Sequence, residues 1–164
     1  MGTSIDKKLA VTLALISCAV LAGPALAQGA SDAQTFINTK DIKWADAPPS
    51  MPKGAKIAVL QGDPGKAGPF VIRIKTPAGY KVAPHWHSQE EYLTVISGTL
   101  YLGMGDKLDM KSAHALSSGG FHFVPGKAHH YAFAKVPTVV QVNSNGPFDI
   151  TYINPDDDPQ KAKK

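Results

Sequence analysis

Short runs of hydrophobic and β-branched residues alternate with glycine- and proline-rich turns along most of the chain after residue 55. Within several runs apolar and polar side chains alternate, which is typical of strands with one buried face. The pattern predicts nine strands: Lys56–Leu60, Phe70–Lys75, Lys81–His87, Glu91–Ser97, Thr99–Met104, Phe121–Val124, His130–Ala134, Thr138–Asn143 and Ile150–Ile153. Only residues 106–116 leave room for a short helical turn. Strands at this spacing predict an all-β protein, an antiparallel sandwich or barrel.

The two ends of the chain differ in composition from this middle part. A lysine pair precedes an apolar stretch that ends in the small-residue pattern Ala25-Leu26-Ala27, which is typical of a secretory signal peptide. Adjacent prolines near residue 48 cannot join a central ladder and predict a surface arm. We therefore divide the chain into four segments: 1–27 signal peptide, 28–54 irregular N-terminal arm, 55–154 barrel and 155–164 solvated tail.

The signal peptide predicts a periplasmic or secreted protein. An alternative is lipid anchoring through Cys18, because Leu15-Ile16-Ser17-Cys18 resembles a lipoprotein processing site. Cys18 is the only cysteine, so cleavage after Ala27 leaves no disulfide and no thiolate ligand. No membrane segment is expected once the signal peptide is removed.

Charge identifies no macromolecular partner. The formal net charge is +4, and the basic residues are scattered apart from the lysines of the tail. This distribution predicts neither a nucleic-acid surface nor a polybasic membrane patch. The remaining expectation for a partner is a small-molecule substrate or ligand.

One short segment carries the strongest chemical signal. Between Gly79 and Gly98 stand His85, His87 and Glu91, all at odd positions. Because side chains of a strand repeat every two residues, all three can point to the same interior. Two imidazoles and one carboxylate on a single face are typical of a site for a divalent transition metal with open coordination positions.

These residues resemble the first motif of the cupin superfamily, which is Gly, five residues, His, one, His, three or four, Glu, six, Gly. Residues 79–98 match it at every fixed position. The second cupin motif has counterparts in Gly119, Pro125 and His130, whereas Lys127 replaces its second glycine and Ala134 its final asparagine. The resemblance covers about residues 56–153 and suggests a small bacterial single-domain cupin.

The resemblance implies a jelly-roll β-barrel that binds a metal through His85, His87, Glu91 and His130. Iron, manganese, zinc, copper and nickel all occur in the superfamily, so the identity of the metal stays open. A homodimer is also expected, because cupins commonly dimerise, and the proline-rich arm could add a strand to a neighbour.

Other polar residues keep alternatives open. His129 and Glu90 have the wrong parity for ligands and are expected at the rim. His122 can face either way, and His114 is expected in solvent. Arg73, the only arginine, either lies on the wet face of its strand or anchors a substrate inside the barrel. Two further candidates for lining the cavity have no predicted orientation: Gln141 and Tyr152.

The function predicted from these features is metal-dependent chemistry on a small molecule that chelates through two oxygens. A dioxygenase-like oxidoreductase comes first, and an isomerase, decarboxylase or lyase comes second. Glu91 and Arg73 are the candidate catalytic side chains beyond the metal. A non-catalytic periplasmic module that binds a metal or small ligand is the alternative, so whether the chain is an enzyme stays open.

Overall fold

The structure is a computed structural model that describes residues 34–161, so the predicted signal peptide and Cys18 lie outside the described residues. Eleven strands form within this range, together with two short 3-10 helices at Thr39–Asp41 and Pro155–Asp157. The strands are β1 (Ala45–Asp46), β2 (Lys56–Gln61), β3 (Gly68–Thr76), β4 (Lys81–Trp86), β5 (Glu91–Ser97), β6 (Thr99–Met104), β7 (His114–Ser117), β8 (Phe121–Val124), β9 (His130–Ala134), β10 (Thr138–Gly146) and β11 (Thr151–Tyr152).

The strands form two antiparallel sheets, which confirms the predicted all-β jelly-roll architecture. One sheet has the order β1-β2-β3-β10-β5-β8 and the other the order β11-β4-β9-β6-β7. Neighbours in these sheets are mostly distant in sequence, as in the long pairing of β3 with β10. The period-two pattern then gives each sheet one apolar face, and the two apolar faces pack together as the core.

Strand β3 illustrates how this alternation defines the inside of the barrel. Phe70, Ile72 and Ile74 are buried and belong to the core, whereas Arg73 between them is only partly buried. On β5, Glu91 shares the inner face with Leu93 and Val95. The carboxylate of Glu91 therefore replaces an apolar side chain at the end of a core-facing row.

Two regions differ from the expectation. No helical turn forms at residues 106–116; instead His114–Ser117 becomes β7 and pairs with β6. This pairing satisfies main-chain groups of β6 that would otherwise be unpaired at a sheet edge. It therefore outweighs any preference of these residues for a helical turn. The arm also contains a strand, because Ala45 and Asp46 pair with β2 of the same chain.

The arm is bound to its own barrel. The Tyr80 hydroxyl donates to the Pro52 carbonyl over 2.8 Å, and the Tyr152 hydroxyl donates to the Ser50 carbonyl over 2.9 Å. Met51 packs against the core. This segment therefore forms part of the barrel wall. Among residues 34–161, no helix has the length and apolar character needed to cross a bilayer.

Candidate metal centre

Three strand ends bring the candidate ligands together. His85 lies in β4 directly opposite His130, the first residue of β9. His87 follows the end of β4, and Glu91 begins β5 in the other sheet. The site therefore bridges the two sheets, and each sheet supplies at least one candidate ligand.

The four side chains converge in a buried cluster. The ligand nitrogens of His85, His87 and His130 all lie within 4.8 Å of one another. Oε2 of Glu91 lies 3.5 Å from Nε2 of His87 and 3.4 Å from Nε2 of His130. Each of the four residues is at most 5% exposed. Such polar groups are rarely buried together without a partner that compensates for lost solvation.

The hydrogen bonds of the imidazoles determine which nitrogen is free. Nδ1 of His85 donates to the Ala83 carbonyl over 2.7 Å, and Nδ1 of His130 donates to the Ala128 carbonyl over 3.1 Å. Nδ1 of His87 donates in the same way to the Asp149 carbonyl. In a neutral imidazole the other nitrogen, Nε2, then carries the lone pair. All three rings are therefore held in the tautomer that a metal requires.

In this tautomer the imidazoles cannot donate a hydrogen bond from Nε2 to Glu91. A carboxylate oxygen and the lone pairs of two imidazoles face each other at about hydrogen-bond distance. Two acceptors in that position attract only if a cation or a proton lies between them. Three nitrogens and one oxygen form a donor set that suits zinc, copper, iron or nickel. The residues present therefore fit a divalent transition metal.

The pKa values of the cluster are displaced by burial and by its own charges. Burial, together with the neighbouring His130 and His87, lowers the pKa of His85 to about 3. Burial by itself would raise the pKa of Glu91, but the contacts of its carboxylate with His130 and with the other imidazoles of the cluster outweigh burial, so the pKa is lowered. A neutral His85 beside an ionised Glu91 is the protonation state that binds a metal.

A loop after β10 completes the surroundings of His87. The Phe148 ring stacks on the His87 ring with 4.6 Å between centroids and 18° between planes. The Asp149 carboxylate accepts hydrogen bonds from the main-chain N–H and the hydroxyl of Ser88, over 2.9 and 2.6 Å. These two bonds hold Asp149 in place, so that its main-chain carbonyl can orient His87. The sequence prediction missed both loop residues, because no motif marks a contact across 61 positions.

Two neighbours of the ligands lie outside the cluster. Nδ1 of His129 donates to Asp106 over 2.6 Å at the surface. The Glu90 carboxylate accepts from the Asn145 amide over 3.4 Å. Both positions agree with the parity argument.

Arg73 lies on the outer face of β3, opposite the core-facing Ile72 and Ile74. There its Nε donates to the side-chain oxygen of Gln141 over 3.1 Å. Neither residue lines the cavity beside the histidines, so the wet-face alternative describes Arg73. Tyr152 is buried, with its ring centroid 6.0 Å from that of His85.

His122 lies on the inner side of its sheet. It pairs with the inward-facing Leu93 on β5, and its Nε2 is buried with no hydrogen-bond partner in the described part of the chain. Burial and the nearby His130 and His114 lower its pKa. The sequence left this orientation open, and only the β5–β8 register resolves it. His114 itself is exposed at the start of β7.

A cavity of about 130 Å³ adjoins the cluster inside the barrel. This volume is several times what a single water molecule needs. All four candidate ligands line it, together with side chains from both sheets, from the arm and from the Phe148 loop. A small molecule inside the barrel would therefore contact the metal centre directly.

A family model described as a domain of unknown function, DUF4437, matches residues 28–151. The chain belongs to the DUF4437 family. No functionally curated protein matches the chain. Family membership therefore leaves the activity unassigned.

Solved structures show that this DUF4437 chain has a cupin-like fold. The polyketide cyclase RemF from Streptomyces resistomycificus superposes with a TM-score of 0.63 at 17% identity, covering 77% of this chain and 90% of RemF. A proposed acetylacetone dioxygenase from Methylibium petroleiphilum PM1 gives 0.59 at 17% identity, with coverages of 76% and 83%. A cupin-2 domain protein from Rhodospirillum rubrum gives 0.56 at 12%, with coverages of 76% and 83%. At these identities the likeness establishes the cupin fold alone.

Proposed function

We propose that this protein binds one divalent transition metal through His85, His87, His130 and Glu91, and acts on a small molecule that chelates the metal through two oxygens. A dioxygenase-like reaction is the first candidate, and an isomerase, decarboxylase or lyase reaction is the second. The observation that carries the proposal is the common orientation of the three imidazoles, whose Nδ1 atoms are bonded to carbonyls while Nε2 is left for the metal.

The bound metal would act as a Lewis acid toward the oxygens of the substrate, and a redox-active ion would also allow reaction with O₂. The protein's own groups set the conditions for this chemistry. Glu91, kept ionised by its neighbours, can take up the proton that an enolisable substrate loses on binding and pass it on to solvent, which restores its carboxylate. The mostly apolar lining of the cavity leaves few polar groups to hold water around a bound substrate.

The comparisons support this choice of chemistry without deciding it. The neighbours include a polyketide cyclase and a proposed acetylacetone dioxygenase. Both names refer to compounds that carry oxygens on nearby carbons. Because the fold hosts many reactions, the metal centre carries more weight than the neighbours do.

Elemental analysis followed by turnover assays tests the proposal. We expect about one metal ion per chain, and oxygen uptake or substrate loss with at least one member of a panel of small diketones and phenols. The control is the same protein after chelation and dialysis, which should lose turnover and regain it when metal is added back. Failure to bind any first-row divalent metal contradicts the proposal at its base.

The same experiment separates the alternative. A protein that binds metal stoichiometrically and binds diketones or phenols, but leaves them unchanged, is a non-catalytic metal- or ligand-binding module.

Export belongs to the proposal as well. A chain that folds outside the cytoplasm meets metals in competition, and sites of nitrogen and oxygen ligands prefer copper and zinc to iron and manganese. Protein purified from the cell envelope should therefore carry zinc, copper or a mixture, whichever metal supports activity. Cell fractionation tests the location, and stoichiometric iron with neither zinc nor copper would contradict the prediction about loading.

A further inference from the structure

Apart from the metal ligands, most side chains that line the cavity are apolar. Both sheets contribute buried side chains that line it, including Ile72, Ile74, Leu93, Leu102 and Val142. A ligand that extends from the metal into the barrel therefore meets hydrocarbon on both sides. Such a surface binds an apolar body and offers a polar one no compensation for lost hydration.

Among the described residues, the wall has three uncharged polar residues, Ser50 in the arm, Thr76 and Tyr80, and the side chains of the last two are already engaged with the main chain. The Thr76 hydroxyl donates to the Thr138 carbonyl over 3.4 Å, and the Tyr80 hydroxyl donates to the Pro52 carbonyl over 2.8 Å. A ligand would have to compete with these bonds to recruit either hydroxyl as a donor. The wall therefore adds little to the polar recognition that the metal centre supplies.

The charged residues of the wall are all acidic. Glu91 and Asp149 line the cavity, and within residues 34–161 no lysine or arginine does so. The chain's only arginine, Arg73, lies on the outer face of β3. A carboxylate on the body of a ligand would thus be buried without a cation and close to like charges.

The net charge of the metal centre also disfavours a ligand with a second negative charge. A divalent ion, three neutral imidazoles and the Glu91 carboxylate carry a net charge of +1. A chelator that binds as a monoanion brings this buried centre to neutrality, whereas a second negative charge leaves it at −1. Neutral buried centres are strongly favoured where no counter-ion is available.

We propose, building on the function proposed above, that the cavity selects monoanionic oxygen chelators with an uncharged, apolar body. Enolisable diketones and hydroxyketones belong to this class. Chelators whose body carries a carboxylate in addition to the chelating group, such as dicarboxylic keto acids, are excluded.

Three hydroxypyranones that share one chelating head provide a matched test. Allomaltol carries a methyl group at ring position 2, kojic acid a hydroxymethyl group and comenate a carboxylate. Each is titrated into the full mature chain loaded with Co²⁺, and binding is followed through the visible absorption of the metal. The affinity of each compound for the Co²⁺-loaded protein is divided by the affinity of the same compound for free Co²⁺. This ratio removes the intrinsic difference between the chelating heads.

We expect this ratio to be about tenfold or more greater for allomaltol than for comenate, with kojic acid between them. Equal ratios, or a preference for comenate, would overturn the inference while leaving the proposed function intact. If Co²⁺ loads but none of the three compounds binds, the proposed function and the inference both fail.

The variant Arg73→Gln checks that the outer arginine takes no part. Its three ratios should match those of the unchanged protein, because Arg73 lies on the far side of β3 from the cavity. A selective loss of comenate binding in Arg73→Gln would show that a cation reaches the ligand, and it would overturn the inference even if allomaltol binds more tightly.

Discussion

The two motif regions of this protein follow the cupin pattern with different fidelity, yet each contributes buried candidate metal ligands. The first, residues 79–98, keeps every fixed residue; the second, residues 119–134, departs from the pattern at Lys127 and Ala134. His130 nevertheless lies opposite His85 in the β4–β9 ladder. Strand register, which the whole sheet determines, therefore places the ligands more firmly than the flanking motif residues do.

The glycines show why some motif positions tolerate change and others do not. A Cβ on Gly98 would lie 2.4 Å from the Pro137 carbonyl oxygen, so a neighbouring strand fills the space beside it. In the second motif Lys127 adopts a φ of 64°, the left-handed conformation that favours glycine. Its N–H still donates to the His87 carbonyl over 2.7 Å. A glycine can thus be replaced where only the backbone angle is unusual.

The largest effect should come from removing a ligand of either motif. His87→Ala and His130→Ala should each abolish stoichiometric metal binding, because the remaining side chains no longer enclose the ion. His129→Ala is the matched control, since His129 pairs with Asp106 at the surface and should leave metal content unchanged. Elemental analysis gives the result. Full occupancy in His130→Ala would mean that the second motif supplies no ligand.

Acid should weaken the metal-free protein through the buried imidazole of the first motif. The folded-state pKa of His85 is about 3, against an ordinary value of 6.5, so below pH 6.5 the unfolded chain binds a proton that the folded chain does not. The contribution of neutral His85 to the free energy of unfolding is fully present above pH 6.5. It is lost as the pH drops toward 3, at up to about 1.4 kcal/mol per pH unit.

Urea denaturation of the metal-free protein at several pH values measures this loss. The variant His85→Phe should show a shallower dependence between pH 6.5 and pH 4. Equal slopes for the two proteins would assign the acid sensitivity to other groups.

Two glycines of the first motif offer a smaller and matched comparison. Gly79 and Gly98 both have a φ of 79°, but a Cβ on Gly79 would have no atom within 4 Å. Gly79→Ala should therefore cost only the left-handed conformation, about 1 kcal/mol. Gly98→Ala adds the clash and should cost about 2–4 kcal/mol. Chemical denaturation gives both values, and equal costs would refute the role assigned to close packing.

The smallest effect concerns the replaced glycine of the second motif. Lys127→Gly relieves the left-handed strain but gives the unfolded chain more freedom, so we expect a net gain of less than about 1 kcal/mol. Metal content should not change. A loss of stability would show that the Lys127 side chain has a compensating interaction.

Sequence reasoning recovered the parts of the site that local patterns encode. The shared face of His85, His87 and Glu91 follows from parity along one stretch of chain, and the resemblance to cupins added His130. The contributions of Phe148 and Asp149 arise because the loop after β10 lies beside His87 in the folded chain, and no local sequence pattern indicates this contact. The inward face of His122 likewise depends on pairing between strands.

Strand β7, strand β1 and the contacts that bind the arm to the barrel were missed for a related reason. Residues 114–117 become a strand because they pair with the otherwise free edge of β6. Strand β1 forms for the same reason at the edge of β2. The adjacent prolines Pro48 and Pro49 are exposed, as predicted. Two hydrogen bonds of the arm were not foreseen: the Tyr80 hydroxyl donates to the Pro52 carbonyl, and the Tyr152 hydroxyl donates to the Ser50 carbonyl. Such partners become visible only once the sheets are assembled.

The acceptors that orient the three imidazoles are main-chain oxygens of Ala83, Ala128 and Asp149. Every residue type carries the same oxygen, so evolution can change the identity of these positions without losing the orientation. Homologous sequences can therefore differ at all three positions while sharing the same centre, and conservation scores will understate its extent. Only insertions or deletions that displace the backbone would erase it.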